Sequence, residues 1–162
     1  MSDTERMTVP VLRHDFIAGP VMLRLACEDD CERVWEWNFA PEVRARSVST
    51  HIVTFAKHQA WFTRRLAKAD SPMWIVEENK LGVGVVRLDQ VPGYTKISIA
   101  LTQTARGRGV GKKAIAAACK EWGKPIVAEI QPDNHASRAC FEACGFHKVA
   151  TTPTLLTYRW TP

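Results

Sequence analysis

The sequence predicts an α/β fold with one mixed sheet of about seven strands and about four flanking helices. Short β-branched stretches alternate between apolar and polar residues, and segments with helical spacing separate them. The predicted order is β, α, α, β, β, β, α, β, α, β, β, and residues 95–130 form a β-α-β crossover. Because strands and helices interleave along the whole chain, we expect a single domain of residues 1–162.

The first predicted elements are one strand and two helices. "VMLRLACEDD" begins as a strand, and Asp29 or Asp30 can cap a short helix over 31–39. Residues 40–54 are expected to be a loop. The next helix, over 55–69, has apolar side chains at 55, 56, 60, 62 and 66 and a basic face.

Three strands follow, and turn residues separate them. An Asn79-Lys80 turn joins the strands at 73–78 and 81–88. "VPGY" marks a second turn, and the strand "TKISIALT" alternates and is rich in β-branched residues.

The second half of the chain predicts two further helices and three strands. The first helix ends at Trp122, because Gly123 and Pro125 stop it, and "IVAEI" is a short strand. Asp133 or Asn134 caps the last helix, "HASRACFEAC", and two strands, "FHKVATT" and "LLTYRW", close the chain.

Composition excludes several classes of protein. The net charge of +5 is compatible with an anionic ligand. No apolar run is long enough to span a membrane, and the polar N-terminus lacks the apolar segment of a signal peptide, so we expect a cytoplasmic protein with no membrane partner. The five cysteines and the histidines have no zinc-ligand spacing, which predicts reduced thiols and no metal. The basic residues cluster around one loop instead of forming a stripe, so a nucleic-acid partner is not expected.

That loop is "ARGRGVGKKAI", which opens a helix after a strand. A helix start has backbone N–H groups without internal partners and carries a partial positive charge. Glycine lets the backbone approach a ligand closely, so Gly107, Gly109 and Gly111 predict a cradle for phosphate or pyrophosphate. The Walker pattern fails because position 106 is Arg instead of Gly and position 113 is Lys instead of Ser or Thr, and the dinucleotide pattern fails on glycine spacing. What remains is R-x-x-G-x-G at Arg106, Gly109 and Gly111.

With this motif the sequence resembles the GCN5-related N-acetyltransferases (GNAT), in which R-x-x-G-x-G binds acetyl-coenzyme A. A second family pattern, N-x-x-[AS]-x-x-x-[FY]-x-x-x-G-F, occurs in order as "NHASRACFEACGF", residues 134–146. The resemblance covers nearly the whole chain. It implies the GNAT fold and an acetyl-CoA-dependent N-acetyltransferase activity on a primary amine. It also implies a homodimer, which many members form.

The resemblance also implies which residues hold the cofactor. The strand before the glycine loop offers backbone groups to the pantetheine arm and the acetyl carbonyl, and the loop amides hold the pyrophosphate. Asn134 binds the pantetheine side or serves only as a helix cap. The implied cofactor residues are Ile99, Ala100, Leu101, Arg106, Gly107, Arg108, Gly109, Val110, Gly111, Lys112, Asn134 and Phe141.

Phe141 departs from the family pattern. Many members have Tyr there, whose hydroxyl can protonate the leaving thiolate. Another group can supply the proton, water can supply it, or the thiolate can leave unprotonated. Ser137 and Cys140 lie nearby on the same helix, and Ser137 is included among the candidate catalytic residues. For the general base, Glu129 can face the cleft or a solvated face, and His58 can transfer a proton or bind the substrate.

The first half resembles, more loosely, enzymes that acetylate an amine on nucleotide-linked sugars, as in pathways to pseudaminic-acid-type sugars. Arg44 and Arg46 can then meet a nucleotide diphosphate or remain surface charges. The implied acceptor-binding residues are Asn38, Arg44, Ser47, His58 and Trp61. Other acceptors stay open, namely a protein N-terminus, an amino acid, a polyamine or a drug, as does a non-catalytic coenzyme A-binding module.

Overall fold

The computed structural model describes residues 20–162 and contains one seven-stranded mixed sheet. The strand order is β1-β2-β3-β4-β5-β7-β6, and every neighbouring pair is antiparallel except β4 and β5. The α/β mixed-sheet prediction is confirmed. The strands are β1 (Val21–Leu25), β2 (Met73–Glu78), β3 (Leu81–Val91), β4 (Tyr94–Leu101), β5 (Ile126–Ile130), β6 (His147–Thr151) and β7 (Leu156–Trp160).

The described part of the chain has five α-helices, one more than expected. The additional helix lies in the segment predicted as a loop, where a proline at the first position suits a helix start because its missing N–H needs no partner there. The helices are α1 (Cys31–Phe39), α2 (Pro41–Arg46), α3 (Phe55–Leu66), α4 (Val110–Trp122) and α5 (His135–Ala143).

The turn and cap predictions have different outcomes. Asn79 and Lys80 both have positive φ, of 52° and 67°, as a two-residue hairpin turn requires. Asn134 caps α5 by accepting a hydrogen bond from the Ser137 N–H at 3.3 Å. Asp30 is the N-cap residue of α1, as predicted, but its carboxylate accepts hydrogen bonds from Arg24 and from the Cys27 N–H instead of from the helix.

The helices cover opposite faces of the sheet. The α4/α5 face packs the larger apolar cluster, which includes Val86, Ile115 and Phe146. The α1/α3 face packs a smaller cluster around Val34 and Phe62.

Helix α3 buries a face different from the predicted one. Ala56 and Ala60 are exposed, whereas His58, Phe62 and Arg65 are buried. Two polar side chains can occupy this face because the protein supplies both with hydrogen-bond acceptors.

The parallel pair β4 and β5 opens towards the ends of its strands. Lys96 and Val127, near the start of both strands, are the one registered pair between β4 and β5. By contrast, every residue of β4 pairs with a residue of β3. Within the described sheet, β4 and β5 therefore diverge at their carboxyl ends, where the glycine loop follows β4. We call this opening the β4/β5 gap.

Candidate active site

The edge of β4 presents main-chain polar groups to the β4/β5 gap. The Thr102 N–H donates to the Val83 carbonyl at 2.8 Å, so alternate residues from position 102 backwards bond to β3. Ile99 and Leu101 lie between them and direct their N–H and C=O groups towards the gap. Ala100, predicted to offer backbone groups to the cofactor, directs them instead to β3, opposite Val85.

The glycine loop leaves backbone N–H groups available at the mouth of this gap. Gly107 and Gly109 have φ of 72° and 85°, and open space surrounds the position that a Cβ would take at each. Within residues 20–162, no protein carbonyl accepts a hydrogen bond from the N–H groups of Gly107, Gly109, Val110, Gly111 or Lys112. Because Gly109 is also the N-cap of α4, these amides lie at the positive end of a helix dipole.

Gly111 serves packing as well. A Cβ there would come within 3.4 Å of the Cys140 Sγ and of a Leu101 methyl group. The first turn of α4 therefore lies directly against α5 and the end of β4. The Val110 side chain is fully buried, so that residue can meet a ligand only through its backbone. The side chain of Lys112 is exposed.

The two loop arginines have different roles. The Arg106 guanidinium donates to the Leu101 carbonyl at 2.8 Å and lies 3.8 Å from the Glu42 carboxylate, so it remains at the gap. Arg108 forms a two-pronged ion pair with the nearly buried Glu78 and donates to the Thr104 carbonyl. The prediction of a cofactor contact for Arg108 is therefore corrected for its side chain, which anchors the loop to β2.

Helix α2 spans the gap. At one end Glu42 approaches Arg106, which follows β4. At the other end the Gln131 amide, which follows β5, donates to the Ser47 carbonyl at 3.0 Å. The segment predicted as an acceptor-side loop therefore lies over the site as a helix, and the Ser47 hydroxyl donates to the Val43 carbonyl within it.

Glu129 lies on the α1/α3 face beside the gap. Its carboxylate accepts hydrogen bonds from the Tyr94 hydroxyl at 2.9 Å and from the Lys96 ammonium at 3.3 Å. The bond to Glu129 raises the pKa of Tyr94, so the phenol remains a proton donor. The Lys96–Val127 register places Ser98 of β4 opposite Glu129 of β5. On the other side of β4, Ser98 pairs with Arg87 of β3.

His58 is a structural residue. Its side chain is 1% exposed, its Nε2 lies 2.9 Å from the Cys31 carbonyl, and aromatic rings surround it. Burial lowers its pKa, and the charge of Arg87 lowers it further. The predicted catalytic or substrate-binding role for His58 is corrected to a structural one, because its imidazole is buried and bonded within the protein.

The other predicted acceptor residues lie on the α1/α3 face. Arg44 donates from Nε to the Asn38 carbonyl at 2.6 Å and from Nη1 to the Ser49 carbonyl at 2.9 Å. Asn38 is buried, and the ring of Trp61 is half-buried under the Arg87 guanidinium.

The predicted residues on α5 are brought together only in part. Asn134 and Ser137 lie at the helix start, where the Ser137 side chain is half-buried. Phe141 is 4% exposed and packs edge-on against Phe146 at 4.9 Å between ring centroids. Its predicted contact with a cofactor is corrected to a packing role.

Arg87, Tyr94, Lys96 and Ser98 were not among the predicted site residues. Lys96 and Ser98 interrupt an otherwise apolar, alternating strand, which places both on one face. That signal was present in "TKISIALT", but the neighbours of these residues depend on the pairing of β4 with β3 and β5.

A family model described as an acetyltransferase (GNAT) domain matches residues 21–147. The chain belongs to this family. It is an acetyltransferase, and its acyl donor is acetyl-CoA. No curated protein matches the chain significantly.

Solved structures share the GNAT fold at low identity. A domain from Methanocaldococcus jannaschii is 21% identical, with 87% of this chain and 97% of that chain covered and a TM-score of 0.73. An aminoglycoside acetyltransferase in complex with coenzyme A is 20% identical, with 88% and 95% covered and a TM-score of 0.72. A ribosomal-protein-alanine N-acetyltransferase from Brucella melitensis is 18% identical, with 87% and 99% covered and a TM-score of 0.72.

Two further features are absent from the described part of the chain. No helix within residues 20–162 is long and apolar enough to cross a membrane. The same residues contain no cluster of histidine, cysteine and acidic side chains that could hold a metal ion.

Proposed function

We propose that this GNAT enzyme acetylates the primary amine of a small molecule, and that the acceptor is a nucleotide-linked amino sugar. The observation that carries the donor part of the proposal is the row of available loop amides at the mouth of a gap between two strands. The acceptor part rests on the looser resemblance of the first half of the chain to enzymes that act on nucleotide-linked sugars. When bound, acetyl-CoA supplies the activated acetyl group.

The residues at the gap fit such a donor. Positive φ at Gly107 and Gly109 and the open space above them accommodate a pyrophosphate on the α4 amides. The main-chain groups of Ile99 and the N–H of Leu101 can bind an extended amide-containing arm as a strand would, while the Leu101 carbonyl accepts from Arg106. We retain Asn134 as a neighbour of that arm, and Arg106 as the cation at the gap.

Proton removal from the amine is assigned to Glu129. An ammonium must lose a proton before its nitrogen can attack a carbonyl, and a carboxylate within reach can accept that proton. Tyr94 and Lys96 hold the Glu129 carboxylate in a fixed position beside the gap. Ser137, at the start of α5, remains a candidate proton donor.

Three broader features complete the proposal. Residues 1–162 form one catalytic domain, of which residues 1–19 lie outside the described part. The protein acts in the cytoplasm, where the five described cysteines stay as the free thiols of the structure. A homodimer is predicted from the family resemblance, and sedimentation at several protein concentrations tests it.

A matched pair of glycine substitutions tests the proposal. Gly109→Ala and Gly93→Ala both place a side chain at a positive φ, of 85° and 89°, with open space around it. The strain costs about 1–2 kcal/mol in each. Only Gly109→Ala is expected to weaken acetyl-CoA binding, by about tenfold, in calorimetric titration.

Turnover completes this test. The enzyme is expected to consume acetyl-CoA with a UDP-linked amino sugar. Absence of turnover with every amine tested, despite donor binding, would refute the catalytic proposal. Equal donor affinity in the two glycine variants would refute the assignment of the loop.

A further inference from the structure

Two guanidinium groups lie on an aromatic platform on the α1/α3 face. The platform consists of Phe39, His58 and Trp61. The centroid of the His58 ring lies 6.2 Å from that of Phe39 and 5.5 Å from that of Trp61. Arg44 lies over Phe39 at 4.8 Å and Arg87 lies over Trp61 at 5.3 Å. The cation–π contacts hold both groups over the rings and leave N–H groups available to other partners.

Several of these N–H groups have no protein acceptor. Arg44 uses Nε and Nη1 for main-chain carbonyls, and Arg87 uses Nε for the Asp89 carboxylate at 3.0 Å. Within residues 20–162, Nη2 of Arg44 and both Nη atoms of Arg87 bond to no protein atom. None of the three belongs to the buried side-chain atoms that lack a partner, so solvent reaches them.

The local charge is not balanced. Arg44, Arg65 and Arg87 contribute three positive charges, and Asp89 is the one carboxylate in the described chain that pairs with any of them. Burial lowers the pKa of Arg44, and the nearby Arg87 lowers it further. A half-buried cation next to another cation is costly unless an anion joins them.

The cations lie beside the proposed reaction centre. Arg87 pairs with Ser98 across β3 and β4, and Ser98 lies opposite Glu129 across the β4/β5 gap. Adjacent strands are about 4.8 Å apart, so the Arg87 side chain starts about two strand spacings or slightly more from Glu129. A small acceptor can therefore contact both residues at once.

We propose that Arg87 and Arg44 form a subsite for an oxyanion, phosphate or carboxylate, that the acceptor amine itself carries, and that Arg87 determines specificity for it. The inference rests on the proposed function and narrows its acceptor class. Guanidinium groups bind phosphate and carboxylate through paired, charge-assisted hydrogen bonds. Polycationic amines are repelled by the same pair and are expected to be poor substrates.

Matched acceptors and variants test the subsite. The acceptors are an amino sugar with and without a phosphate, and an amino acid with and without its carboxylate. The variants are Arg87→Gln, Arg44→Gln and Arg87→Lys, with Arg64→Gln, on the exposed side of α3, as the control. Arg87→Gln should fold, because Asp89 keeps its ion pair with Arg65, and thermal unfolding checks this.

The expected result is a split between kinetic constants. Arg87→Gln raises KM for the preferred anionic amine about tenfold, leaves kcat within about twofold and leaves KM for the neutral counterpart unchanged. Arg87→Lys recovers part of the loss, and Arg64→Gln behaves as the unmodified enzyme. Whichever pair shows the larger preference identifies the oxyanion as phosphate or carboxylate.

Failure of this inference and failure of the proposed function give different results. If the unmodified enzyme uses neutral and anionic amines equally, or Arg87→Gln raises both KM values alike, the subsite is refuted and the acetyltransferase proposal stands. If no amine is acetylated although acetyl-CoA binds, both are refuted.

Discussion

The two faces of the sheet build their parts of the site in different ways. Next to the α4/α5 face and its large apolar cluster, the glycine loop presents main-chain amides through conformations that suit glycine. The α1/α3 face combines a smaller apolar cluster with buried polar side chains, namely Asp30, Asn38, His58 and Arg65. A binding site built from backbone groups can be predicted from the spacing of glycines in the sequence. A site built from side chains is harder to predict, because the sequence does not show which polar side chains already bond to other parts of the protein.

The largest expected effect concerns thiols, and it tests how well the α4/α5 face excludes water. Burial, followed by the nearby Cys144, raises the pKa of Cys119 to about 12, from an ordinary value of 9.0. Since only the thiolate reacts, alkylation by iodoacetamide should be about a thousandfold slower at Cys119 than at an ordinary exposed thiol. Mass spectrometry of native protein should show the exposed Cys27 labelled first and Cys119 last.

Labelling in urea is the control, because unfolding should make all five cysteines react alike. A native labelling rate at Cys119 within tenfold of that at Cys27 would mean that this face opens readily.

The second prediction tests the reliance of the α1/α3 face on buried charge. Asp30 is 2% exposed and accepts two hydrogen bonds of 2.8 Å from Arg24. Asp30→Ala should lower the free energy of unfolding by about 2 kcal/mol in urea denaturation, because Arg24 keeps only Glu77 as a carboxylate partner, the Cys27 N–H loses its acceptor and a small cavity remains. Asp29→Ala, next to it and exposed, should change it by less than about 0.5 kcal/mol.

Acid titration adds a pH test of the same pair. Burial alone would raise the pKa of Asp30, but the hydrogen bonds from Arg24 and Cys27 outweigh it and lower the pKa to about 2. The stabilisation is therefore complete above pH 3.8, the ordinary value, and is lost as the pH falls towards 2. Asp30→Ala should lack this loss, and an unchanged profile would contradict the assignment.

The smallest expected effect concerns His58. Burial lowers its pKa below 6.5, so the unfolded chain binds a proton that the folded protein does not. Stability is therefore complete above pH 6.5 and falls below it, by at most about 1.4 kcal/mol per pH unit. Urea denaturation between pH 7.5 and 5 should show a weaker pH dependence for His58→Gln than for His51→Gln, which alters an exposed residue.

Much of the fold follows from local patterns. The hairpin turn at Asn79 and Lys80, the cap at Asn134 and the helix stop at Gly123 are conformations that few residue types adopt, so the sequence identifies them. Helix α2 has six residues, too few to show a period, and it was missed. The Asp30 side chain looked like a helix cap because a sequence cannot show that Arg24 lies across from it.

The candidate site shows the same limit. Gly107 and Gly109 were predicted because their backbone angles are specific to glycine. His58 and Arg108 had suitable chemistry for a site, but the fold gives one a carbonyl and the other a carboxylate as a partner. Arg87 was missed because its importance comes from the ring beneath it and from the register of β3 with β4.

The β4/β5 gap gives the sheet two unpaired borders in its interior as well as those at its rims. Unpaired strand borders invite the backbone of other chains, and proteins usually shield them. Here α2 lies across the opening, joined to one border through Glu42 and Arg106 and to the other through Ser47 and Gln131. Loss of these two contacts would uncover both borders, so we expect this short helix to limit strand pairing between copies of the chain.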